Sequence, residues 1–101
     1  MTPTTTMEAE NPTLEITPEP TRNPDTVVFR VNRPLLGPGT GLSFPDAESA
    51  RDHPVARALF AIRGVASVWI IGNEVTVTKD ERMRWNRITS RIIETLKRVL
   101  A

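Results

Sequence analysis

The side chains able to do chemistry in these 101 residues are few, and they form no recognisable catalytic set. There is one histidine, His53, and no cysteine. Without a thiolate the chain has no sulfur nucleophile, no soft metal ligand and no disulfide. An iron–sulfur cluster takes about four Cys thiolates, with His replacing some of them in rare cases. The serines and threonines have no base to activate them beyond His53, and no pair of carboxylates falls on one helical face inside an apolar cleft. The expectation is therefore no catalytic residue, no metal, no cofactor, and a protein that is not an enzyme.

Three weaker candidates have plain structural explanations. The glycine-rich run 37–41 (GPGTG) offers backbone N–H groups to a phosphate. It lacks the following Lys-Ser/Thr and does not lie between a clear strand and a helix, so it reads as a turn. Asp46, Glu48 and Asp52 are oxygen donors for a hard cation, yet their spacing fits no calcium loop, and acids near a helix start are favoured by the helix dipole. His53, next to Pro54, reads as a helix-cap neighbour.

Two other features point to binding. Trp69, Ile71 and Thr76 are expected on one face of a hairpin, opposite its apolar side; an exposed Trp beside an Ile forms an adhesive patch of the kind enriched at interfaces. The alternative is that a helix or the N-terminal segment covers them. Arg84, Arg87, Arg91 and Arg98 gather on one side of the last helix. They suit an acidic partner surface or, as a second reading, nucleic acid, and they also fit a plainly solvated helix face. No aromatic side chains interleave with them and the net charge is only +1, which weakens the nucleic-acid reading.

The elements that position these residues follow from pattern. Leu14 and Ile16 alternate with polar residues, and Pro18, Pro20 and Pro24 exclude helix, which leaves an extended edge strand. Residues 26–31 (TVVFRV) form a β-branched strand. Leu42-Ser43-Phe44 is a short extended piece. Helix one starts near His53-Pro54, with Asp52 or His53 as cap; Val55, Ala58, Leu59 and Ile62 form its buried stripe and Gly64 is the C′ residue. Residues 67–71 and 74–79 flank Gly72-Asn73, a two-residue hairpin signal. That turn pairs Ile71 with Glu74, Ile70 with Val75, Trp69 with Thr76 and Val68 with Val77, so Val68, Ile70, Val75 and Val77 share the core face. Helix two covers roughly 82–100, capped by Asp80, with Trp85, Ile88, Ile92, Leu96 and Val99 on its apolar stripe. The predicted architecture is an α+β two-layer sandwich, a largely antiparallel sheet of about four strands with two helices on one face, in β-β-α-β-β-α order.

Composition agrees with one globular domain: 39% hydrophobic and 25% charged residues. Residues 1–13 carry little apolar mass and read as a disordered tail, leaving 14–101 as the domain. No apolar run approaches the roughly 18 residues that span a bilayer. The acidic start, with no arginine before Arg22, resembles neither a secretory signal nor a transit peptide, and the expected location is the cytoplasm.

The runs PTRNPD (20–25), FPDAESA (44–50), HPVARALFAIRGVASVWI (53–70) and EVTVTKDE (74–81), in this order, resemble the N-terminal domain of NifU-like (Nfu) iron–sulfur scaffold proteins. The similarity covers roughly residues 14–100. Members often carry a second domain whose Cys-x-x-Cys motif binds the cluster. These residues have no counterpart here, so no cluster-binding residue is carried over. Arg22 and Arg63 stand where many members have Pro, and the last helix, often acidic in relatives, is Arg-rich. The resemblance implies an accessory interaction domain near iron–sulfur cluster assembly or delivery. Its expected partner is a protein, a scaffold or a client, with no membrane; nucleic acid stays the second reading, and the chain is expected to be a monomer or weak homo-oligomer.

Overall fold

The computed structural model describes residues 14–33, 35 and 40–100. The expected disordered tail, and residues 37–39 of the glycine-rich run, lie outside the described residues. Five strands, β1 (Ile16–Pro20), β2 (Thr26–Val31), β3 (Gly41–Phe44), β4 (Val65–Ile71) and β5 (Glu74–Lys79), form one sheet with α1 (Pro54–Phe60) and α2 (Trp85–Leu100). The strand order is β1-β2-β5-β4-β3, and every neighbouring pair is antiparallel. The α+β class is as expected. The sheet has five strands because both short apolar pieces, around Ile16 and around Phe44, join it at opposite edges. Pro18 and Pro20 are tolerated in β1 because an edge strand has one side free of the hydrogen-bond ladder.

The hairpin register agrees with the pattern argument at every pair: Ile71 with Glu74, Ile70 with Val75, Trp69 with Thr76, Val68 with Val77. Gly72 sits at the turn with φ of 58°, where glycine carries no Cβ penalty. A bulge between Val65 and Ser67 starts β4, so the strand begins earlier than the sequence suggests. Alternation then sorts the sheet. Val27, Phe29, Val31, Val68, Ile70, Val75 and Val77 are buried on one face against Leu59, Ile88, Ile92 and Leu96 of the helices, in one continuous cluster. An antiparallel sheet can leave its second face to water, and this one does.

Helix α1 starts where Pro54 supplies a pre-set φ and His53 caps: the His53 Nδ1 accepts the Ala56 N–H at 3.3 Å. Its buried residues are Ala56 and Leu59, while Val55 and Ala58 are only half-buried. The helix closes at Ala61, whose φ of −69° is right-handed, so Gly64 is not its C′ residue. Gly64 instead holds φ of 103° in the turn before β4, where a Cβ would lie 2.7 Å from Met83 Cγ. Helix α2 starts at Trp85, later than expected, because Asp80 caps a turn and not the helix. Its carboxylate accepts the Arg82 N–H at 2.9 Å and its carbonyl accepts the Met83 N–H at 2.9 Å. The Asp80 N–H donates to the Gly64 carbonyl at 2.7 Å, which ties this turn to the α1–β4 turn.

The start of α2 is also tied to the β1–β2 turn. Trp85 Nε1 donates to the Pro24 carbonyl at 2.7 Å. Lys79, 7% exposed, donates to Asp25 at 2.8 Å and stands 5.8 Å from the Trp85 ring centroid. Their sequence separation of 54 residues hid this ion pair from pattern reading.

Candidate functional site

The seven predicted interaction residues fall on two surfaces on opposite sides of the sheet. Trp69, Ile71 and Thr76 lie on the open face. The alternation that buries Val68 and Ile70 turns Trp69 and Ile71 outward, and they remain 49% and 37% exposed, with Thr76 half-buried beside them. No other large hydrophobic among the described residues is as exposed. Trp69 pairs with Ser43 on one side and Thr76 on the other; Ile71 pairs with Gly41 and Glu74. Gly41 makes room for both: a Cβ there would lie 3.4 Å from Trp69 Nε1 and 3.8 Å from Ile71 Cδ1. The two side chains therefore lean over the β3 backbone and form an apolar corner.

An ionic ladder adjoins this corner. Arg30 on β2 pairs with Glu19 on β1 at 3.0 Å and Glu74 on β5 at 2.7 Å, a ladder across three strands. The hydrogen bond from Arg30 holds the Glu19 carboxyl below the usual glutamate range, and Glu19 in turn raises the Arg30 guanidinium. The ladder ends beside Ile71, whose cross-strand partner is Glu74, and the half-buried residues Val28, Thr76 and Thr78 complete the open face.

The arginines lie on the helix side. Arg84, Arg87, Arg91 and Arg98 are all exposed, but only the first three converge. Together with Arg63 from the α1–β4 turn and Arg82 from the β5–α2 turn, they line a groove of about 380 Å³, which Met83 and Ile88 also line. Arg98 lies two turns, roughly 10 Å, further along α2 and takes no part. Arg63 and Arg82 were not among the predicted site residues. Helical periodicity groups residues on one helix, and Arg63 arrives from a different element through the contact of Gly64 with Met83. Among the described residues, the acid lining the neighbouring hollow is Asp80, which meets Arg82 at 3.4 Å. The backbone N–H of Arg82, and then its side chain, hold the Asp80 carboxyl below the usual aspartate range.

The weaker candidates resolve as local structure. Asp46 accepts the Ser49 N–H at 2.8 Å, and Glu48 and Asp52 are exposed. No group of three or more His, Asp or Glu side chains able to hold a metal occurs among the described residues. His53 packs against Phe44, with ring centroids 5.1 Å apart, besides capping α1. No helix among the described residues is long and apolar enough to cross a membrane.

Comparison with known proteins places this geometry. The family described as "Scaffold protein Nfu/NifU N terminal" matches residues 16–101. The NifU-like protein 5, mitochondrial, of Arabidopsis thaliana is 36% identical over 74 residues, which is 73% of this chain and 26% of that protein. The NFU1 iron–sulfur cluster scaffold homolog, mitochondrial, of Drosophila willistoni is 33% identical over 76 residues, 75% of this chain and 26% of that protein. The chain thus spans about a quarter of the length of these curated relatives. Among solved structures, the NifU-like protein from Saccharomyces cerevisiae shares the fold with a TM-score of 0.69 at 22% identity, over 84% of this chain and 76% of that one. A Staphylococcus aureus protein does so with a TM-score of 0.65 at 14% identity, over 86% of this chain and 99% of that one.

Proposed function

Because the chain belongs to the Nfu/NifU N-terminal family, we propose that it works as an accessory interaction domain in iron–sulfur cluster assembly or delivery, one that touches the protein carrying the cluster and does not hold the cluster itself. The observation that carries this reading is the exposed Trp69–Ile71 corner on the open sheet face. A half-exposed indole leaves apolar surface in water that a partner can cover, and a rigid aromatic on a sheet is a low-entropy anchor for that partner. The occupant fits the relatives. Those from Drosophila are named iron–sulfur cluster scaffolds, and the matched segment is about a quarter of their length, so a cluster-bearing scaffold domain is the partner this face is suited to meet. The absence of cysteine from all 101 residues gives the domain no thiolate with which to hold iron, which leaves contact as its means of acting.

The test is a binding titration with a purified, cluster-loaded Cys-x-x-Cys scaffold. Wild type is expected to bind it. Trp69→Ala with Ile71→Ser is expected to lower the affinity by at least about tenfold, the scale for losing one aromatic hot spot. Equal binding by the double variant, with its fold intact by circular dichroism, removes this surface from the account.

A further inference from the structure

The arginine groove assigns this chain a second binding site, distinct from the open sheet face. We infer that the groove formed by Arg63, Arg82, Arg84, Arg87 and Arg91 binds an acidic, extended peptide segment of a partner protein. Three elements supply its cations: the α1–β4 turn, the β5–α2 turn and the first two turns of α2. Among the described residues, Arg63, Arg84, Arg87 and Arg91 have no carboxylate within ion-pair distance, and Arg82 has only Asp80 at 3.4 Å. Four guanidinium groups converging without counter-charge repel one another, and each presents a planar fork that matches a carboxylate bidentately.

The layout selects the ligand. Arg87 to Arg91 spans about 6 Å along α2, and Arg84 stands at the residue before its first turn. Alternate residues of an extended peptide lie about 7 Å apart, so two or more carboxylates on one strand face can be held together. A single phosphate reaches only one end of such a row. Ile88 is buried beneath the groove, and Met83 is half-buried among the charges. Met83 suits an aliphatic side chain between the acids, since methionine adapts to irregular apolar contacts. A nucleic-acid strand carries comparable charge spacing but also needs a ring to stack its bases. The Trp85 indole is turned away to Pro24 and Lys79, and Trp69 is on the other side of the sheet. The groove therefore has the charge for a nucleic acid without the stacking platform.

The experiment uses the full chain and a short fluorescein-labelled peptide of alternating glutamate and alanine around a central leucine, followed by anisotropy at about 50 mM salt, where charge contacts are weakly screened. Wild type is expected to bind saturably. Arg87→Glu with Arg91→Glu, and separately Arg63→Glu on its own element, should each weaken binding by about tenfold or more. Arg98→Glu removes the same kind of charge outside the groove and should change affinity by less than about twofold. All of these positions are exposed, so the variants should keep the wild-type circular dichroism spectrum. No binding by wild type, or an Arg98→Glu loss as large as that of the groove variants, overturns the inference. So does tighter binding of a labelled single-stranded oligonucleotide or of inorganic phosphate in competition. The Trp69→Ala, Ile71→Ser variant should bind this peptide as wild type does, so the two surfaces stand or fall separately.

Discussion

Replacing Gly64 with alanine puts a methyl group into space that Met83 already occupies, and it does so at a backbone angle that L-residues avoid. The φ of 103° costs a non-glycine residue about 1–2 kcal/mol. The new Cβ would sit 2.7 Å from Met83 Cγ and 3.3 Å from its Cβ, so relief requires the side chain to move near its root and not at its flexible end. An off-rotamer χ adds roughly 1 kcal/mol, for a total of about 2–3 kcal/mol. Gly72→Ala is the internal control: its φ is also positive, 58°, but nothing lies within 4 Å of the added methyl, so its cost is the backbone term alone, about 1 kcal/mol. Urea unfolding followed by circular dichroism measures both. Thermal midpoints should fall by roughly 4–8 °C for each kcal/mol in a domain of this size. Met83→Ala in the Gly64→Ala background should recover part of the loss, a coupling of about 0.5–1 kcal/mol in the double-mutant cycle. Equal losses at Gly64 and Gly72, or no recovery from Met83→Ala, would refute the claim that Gly64 is packed tightly against Met83.

The Arg30–Glu19 pair makes a pH statement. Because the hydrogen bond and charge of Arg30 hold Glu19 below its ordinary value of 4.5, the pair contributes above that pH and its contribution fades as pH falls through the lowered value. Titration of the Glu19 carboxyl by NMR should show a midpoint below 4.5, returning toward it in Arg30→Gln; an unchanged midpoint in that variant contradicts the assignment. The two faces of the sheet should also separate in stability. Trp69→Ala, at a half-exposed position, is expected to shift unfolding by no more than about 1 kcal/mol, whereas Ile92→Ala, fully buried against the sheet, should cost about 2–5 kcal/mol. Comparable losses in the two variants, read from denaturant midpoints, would mean that the indole is a core residue after all.

Local pattern carried much of the fold. The β-branched run 26–31, the Gly72-Asn73 turn and the stripe Ile88, Ile92, Leu96 each announce their element within a few residues, because backbone propensity and side-chain alternation act over that range. The hairpin register followed from turn length, and the placing of Trp69 opposite the apolar quartet from alternation, whereas its exposure depended on which elements cover that face. The family was legible from short runs of residues in order, and the absence of thiolate chemistry from composition.

What tertiary structure alone decided are the relations between distant segments. Lys79 meets Asp25 across 54 residues, Gly64 presses on Met83, and Arg63 joins Arg82 and Arg84 of the β5–α2 turn and Arg87 and Arg91 of α2 while Arg98 is left out. Helix ends moved for the same reason: Asp80 caps a turn because its carboxylate and carbonyl accept the Arg82 and Met83 N–H groups, and the Gly64 carbonyl accepts the Asp80 N–H in the turn before β4, away from any helix C-terminus. Periodicity reports which residues share a face of one element. Which faces of different elements meet is set by how the whole core packs, and no local window contains that information.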